Sequence, residues 1–96
     1  MTQAEHAKIL AILEALGSPD RVEIIEVLLR HGPLTHGDLA KRVGRPLGVR
    51  HHLTLLQQCG VVLKEEEDRR NVLYRVDRQV FDRVVAYLTR LRDLPN

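Results

Sequence analysis

Four side chains in the middle of the chain offer recognition chemistry. At about 100° per residue, Arg50, His51, Thr54 and Gln58 fall with Leu47 on one side of a helix, and Val49, His52, Leu53 and Leu56 fall on the other. The first side is almost wholly hydrogen-bonding. An α-helix fits the major groove of B-DNA, where Arg pairs with guanine edges, Gln with adenine, and Thr or His with bases or phosphates. Between Lys41 and Gln58 stand the cations Lys41, Arg42, Arg45 and Arg50 and no acid, as a surface meeting phosphates requires. A solvated basic face explains the charge alone equally well, but ordinary amphipathic surface helices mix acids among their cations. Arg50, His51, Thr54 and Gln58 are therefore the candidate base readers, with Lys41, Arg42 and Arg45 on the backbone. Arg69 and Arg70 form a second basic pair, placed to reach the neighbouring backbone or minor groove. Glu65, Glu66, Glu67 and Asp68 stand directly before them and repel phosphate, so a plain solvated turn stays open there.

The elements that must position these groups are legible in the caps and periods. Ala4 to Leu16 has Ile9, Leu10, Ile12, Leu13 and Leu16 at helical spacing and ends at Gly17, a residue suited to the left-handed position after a helix. Ser18, Pro19 and Asp20 give a second helix its N-cap, first residue and N-terminal acid; it stops at His31-Gly32-Pro33. Thr35 with Asp38, flanked by Leu34 and Leu39, predicts a capping box and hydrophobic staple for a third helix to about Val43. Gly44 ends it, and Pro46 is placed in the first turn of a fourth helix that runs to Cys59 and closes at Gly60. Val61 to Leu63 and Val72 to Val76 are β-rich runs around a polar stretch, which predicts a hairpin. From Asp77 the helical period returns, with Phe81, Val84, Val85, Leu88 and Leu91 on one stripe.

Composition bounds the rest. A chain of 96 residues has room for one small domain and none for a separate cofactor-binding lobe. With 44% hydrophobic and 29% charged residues it should fold, on a core of Leu, Val, Ile and Ala. Only Tyr74, Tyr87 and Phe81 are aromatic, which disfavours stacking of single-stranded bases. The net charge of +2 is uneven, −3 over residues 1–40 and +5 over residues 41–96. The single cysteine, Cys59, excludes an intramolecular disulfide, and no stretch resembles a signal peptide or a membrane span. A soluble, cytoplasmic chain that borrows stability from a homo-oligomer is expected.

Leu16-Gly17-Ser18-Pro19-Asp20-Arg21, Pro33-Leu34-Thr35 with Asp38-Leu39-Ala40, Val49-Arg50-His51-His52-Leu53 with Leu55-Leu56, and Gly60-Val61-Val62 together resemble the ArsR-type family of winged helix-turn-helix regulators. The resemblance covers roughly residues 8–80, and the His-His-Leu helix is its most specific part. It implies a mainly α (α+β) fold in the order α-α-α-α-β-β-α, with the helix-turn-helix at about 35–59, the wing at about 61–76 and a C-terminal dimerisation helix at about 78–92. It also implies a homodimer through the first and last helices, for which Ile9, Leu10, Leu13, Phe81, Val84, Val85 and Leu88 are the candidates. Core packing explains either stripe as well. Two fourth helices would then enter successive major grooves of a near-palindromic operator. Arg45-Pro46-Leu47-Gly48 departs from the family's customary run of Ser and Thr, and its turn reads one residue short. Gly48 costs the fourth helix up to about 1 kcal/mol relative to alanine unless it permits a close approach.

Many relatives of that type sense metals, so the ligand inventory matters. Thr35-His36-Gly37 stands where metalloid-binding relatives carry a Cys-x-Cys pair, and the last helix has Asp82 but no His. Neither site is inherited. His51 and His52 diverge by about 100° and cannot chelate one ion; His52 reads as a packing residue, and Cys59 as a small core residue. Neither a metal nor any other cofactor is expected. A phosphate loop, a paired-carboxylate pocket and a nucleophile-base arrangement are all lacking, so no enzyme is expected. The reading is a sequence-specific DNA-binding dimer, most simply a repressor, with double-stranded DNA and itself as partners and no membrane. Its rivals are a winged-helix protein-protein module that does not use DNA and a sensor with a non-standard ligand site.

Overall fold

The computed structural model describes residues 1–66, 68 and 71–96. Its elements follow the predicted order: α1 (Gln3–Leu16), α2 (Pro19–His31), α3 (His36–Arg42), α4 (Val49–Gln58), β1 (Val62–Glu66), β2 (Val72–Val76) and α5 (Gln79–Arg92). Most helix starts are chemically marked. The hydroxyls of Thr2, Ser18 and Thr35 accept the backbone N–H of Glu5, Arg21 and Asp38, each satisfying a donor that the first turn leaves free. Only half of the capping box at Thr35 forms. Among the described residues the Asp38 carboxylate accepts no return bond from the Thr35 N–H, its side chain being one methylene shorter than the Glu that usually does so. Gly17 is not left-handed, with φ −78; a Cβ there would sit 3.3 Å from the Glu14 carbonyl, so close approach explains the glycine.

The two strands pair antiparallel from Val62 opposite Val76 to Glu66 opposite Val72. β1 extends three residues beyond the expected apolar run because both faces of its outer end meet water. On one face Glu65 pairs diagonally with Arg75; on the other, at the exposed outer end of the strand, Lys64 lies 3.6 Å from Glu66. Leu34 exchanges both backbone hydrogen bonds with Tyr74, at 3.1 and 2.8 Å, tying the start of the helix-turn-helix to the wing.

The core is aliphatic, and no polar or charged residue among those described is buried in it. Ile12, Ile24, Ile25, Leu28, Leu39, Leu53, Leu56, Val61, Val62 and Val80 close around the point where α2, α3, α4 and the sheet meet. Burying each such side chain contributes about 1.5–3 kcal/mol, so this cluster fixes the platform from which α4 projects. No helix among the described residues is long and apolar enough to cross a membrane.

Candidate nucleic-acid interface

α4 begins three residues later than the proline suggests. Leu47 and Gly48 form the centre of a turn closed by the Val49 N–H and the Pro46 carbonyl at 3.3 Å, and Gly48 has φ 88 and ψ −3, the third-residue angles of a type II turn. A residue in that conformation cannot continue a right-handed helix, so Pro46 lies outside α4 and Gly48 becomes its N-cap. The sharp turn aims Val49, Leu53 and Leu56 into the core. It leaves Arg50, His51, Thr54 and Gln58 exposed on the other side.

Lys41 and Arg42 occupy the last turn of α3, Arg45 the connection, and Arg50 the first turn of α4; all four are exposed. None of them forms an ion pair among the described residues, so their charge remains available to an external anion. Arg45 differs in its surroundings, because it shares the rim of a groove with Asp20 and Glu23. The Thr54 hydroxyl donates to the Arg50 carbonyl at 3.0 Å, leaving its lone pairs and methyl to face outward. Gln58 stands apart at the C-terminal end of α4, about 12 Å along the axis from Arg50, where it borders a groove with Ala11, Glu14 and Cys59. Arg69 and Arg70 lie outside the described residues.

The start of α2 braces this unit, a role the sequence reading gave to no residue. The Glu23 carboxylate accepts the Gly44 N–H at 2.6 Å and so anchors the turn after α3. Arg21 donates to the Ala15 carbonyl at 2.6 Å, and its guanidinium lies 3.4 Å from His52 Nδ1. His52 Nε2 is 3.8 Å from Asp20. His52, half-buried against α2, is thus the packing residue that its side of the helix predicts, and Arg21 joins α1, α2 and α4. The signal for Arg21 was its place in the Ser18-Pro19-Asp20-Arg21 run; for Glu23 there was none.

The seven candidate dimer residues divide. α1 packs on α5, with His6 Nε2 and the Tyr87 hydroxyl 3.0 Å apart. Ile9 and Val84 are buried within the chain itself, and Leu13 and Phe81 pack partly against its core, so these four are largely taken up by the chain's own packing. Leu10, Val85 and Leu88 are exposed, together with Leu91 and Leu94 farther along. Among the described residues no three of His, Cys, Asp and Glu come together in a way that could hold a metal ion.

The chain matches the family described as HVO_A0114 over residues 15–84, from the end of α1 into α5. No curated protein matches it. Among solved structures, an ArsR-like transcriptional regulator from Rhodococcus sp. RHA1 superposes with TM-score 0.80 at 26% identity, covering 90% of this chain and 80% of that one. Another ArsR family transcriptional regulator gives 0.78 at 25% identity, with 91% and 89% covered. A homodimeric winged helix-turn-helix DNA-binding domain from Mycobacterium bovis, a possible ArsR-family regulator, gives 0.70 at 18% identity with 99% and 92% covered, a likeness of fold alone. The architecture is accordingly the winged helix-turn-helix of ArsR-like regulators, in which α3 and α4 are the helix-turn-helix and β1 and β2 the wing.

Proposed function

Because the chain belongs to the HVO_A0114 family and folds like ArsR-family transcriptional regulators, we propose that it is a homodimeric repressor that reads double-stranded DNA with α4. The observation that carries this reading is the exposed set Lys41, Arg42 and Arg50, unpaired among the described residues, around the N-terminal end of a helix packed on the core through Val49, Leu53 and Leu56. In helix-turn-helix recognition that end enters the major groove, and its first residues meet base edges. Arg50 then takes a guanine edge and His51 a neighbouring acceptor. Thr54 contributes an acceptor or its methyl, and Gln58 reaches an adenine or the flanking backbone. Lys41, Arg42 and Arg45 neutralise phosphates, with Arg69 and Arg70 as further backbone contacts.

Leu10, Val85 and Leu88, all exposed, form the face that a second copy covers; two α4 helices then meet half-sites roughly 34 Å apart. Repression follows from occupancy: a dimer seated on a near-palindromic site excludes other proteins from the same grooves. No metal or other cofactor takes part in this reading, and no reaction is catalysed. Enrichment of duplexes from a randomised pool by the purified protein tests it. A motif with two-fold symmetry and half-sites one helical turn apart, or a multiple of it, is the expected product. A pool that stays unenriched, or that yields only asymmetric sites, would contradict it.

A further inference from the structure

Leu47 is 92% exposed, the most exposed of the large apolar side chains among the described residues. A leucine in water is ordinary in itself. Its place is not. It sits in the turn that immediately precedes α4, one residue before the left-handed Gly48, between the exposed cations Arg45 and Arg50. Three bonds hold that turn: Val49 N–H to the Pro46 carbonyl, His52 N–H to the Gly48 carbonyl, and Gly44 N–H to the Glu23 carboxylate. The side chain is thus presented from a fixed backbone with no described residue covering it. A polyanion drawn to Lys41, Arg42 and Arg50 would press against an apolar group at the mouth of the reading helix. The one apolar group that a major groove offers is the C5-methyl of thymine.

Resting on the DNA reading above, we infer that Leu47 is a specificity-determining residue that packs on a thymine methyl in each half-site, at the position met by the N-terminal end of α4. The contact reads a methyl rather than a hydrogen bond, so it discriminates thymine from uracil, which pair alike with adenine and differ only in that group.

The experiment uses the duplex enriched by the wild-type protein. Each thymine is replaced in turn, in both half-sites, by deoxyuridine, and affinities are measured by fluorescence anisotropy for the wild type, Leu47→Ala and Leu47→Met. The wild type is expected to lose about fourfold per half-site at one thymine position, the worth of burying one methyl group. Leu47→Ala should bind the thymine and uracil duplexes alike at that position, and Leu47→Met should restore the difference. Circular dichroism melting of Leu47→Ala should match the wild type, since the side chain touches no core residue. The inference is overturned if the wild type ignores every replacement, if Leu47→Ala keeps the discrimination, or if Leu47→Ala weakens all duplexes equally. Absence of any enriched duplex would overturn the DNA reading itself, and this contact with it.

Discussion

Arg50 and Lys41 are both exposed cations with no carboxylate partner among the described residues, yet removing them should have different consequences. Arg50, in the first turn of α4, is assigned to a base edge. Arg50→Ala should weaken binding to the enriched duplex by about 1–3 kcal/mol and to a scrambled duplex much less, as read by anisotropy titration. Lys41, on α3, is assigned to the backbone. Lys41→Ala should weaken both duplexes alike and reduce the salt slope by about 1. The braces behind them give a third prediction. Glu23→Ala removes the acceptor of the Gly44 N–H and should cost about 1 kcal/mol in urea unfolding. The exposed positions were legible because α4 separates polar from aliphatic residues at the helical period. The contacts of Glu23 and Arg21 were not, even though Arg21 stood in a marked run, because their partners Gly44 and His52 lie 21 and 31 residues away and no local pattern records such a contact.

α4 and the turn before it show where local chemistry decides an element and where it leaves a choice. Ser18 and Thr35 announced their helices correctly, since a hydroxyl before an apolar period has few other uses. Pro46 and Gly48 pointed two ways, because proline tolerates a first helical turn while glycine serves equally as a weak helix residue or a left-handed cap. The observed angles select the second. Gly48→Ala should therefore cost about 1–2 kcal/mol in thermal unfolding from the left-handed conformation. Crowding adds nothing, since the nearest atom to a new Cβ is His52 Nε2 at 3.8 Å. The strands follow a similar logic. β-branched residues marked the paired ends Val62 and Val76, whereas the extension through Lys64, Glu65 and Glu66 depends on a solvated sheet face that alternation alone does not reveal.

The chain as a whole is longer than its residue count requires. Its radius of gyration is 14.7 Å with a longest extent of 52 Å, against about 12.5 Å for a compact chain of this length. The excess fits a chain whose α5 leaves Val85, Leu88 and Leu91 exposed, with Leu94 exposed just beyond its end. Sequence periodicity marked that helix as apolar over a broad stripe but could not divide the stripe between the chain's own core and exposed surface. The division came only from the packing of α1 on α5. Leu88→Glu should convert a dimer to a monomer in sedimentation velocity and weaken DNA binding by at least about tenfold through loss of the second half-site. A protein that meets phosphates and reads bases at once must respond to both salt and sequence. The most direct measurement is the affinity of the intact protein for its enriched duplex and for a scrambled one across a series of salt concentrations. The account predicts a steep fall of log K with log salt, about 0.9 per phosphate contact, and an enriched duplex bound about a thousandfold tighter or more. A flat salt dependence, or equal affinity for the two duplexes, would contradict it.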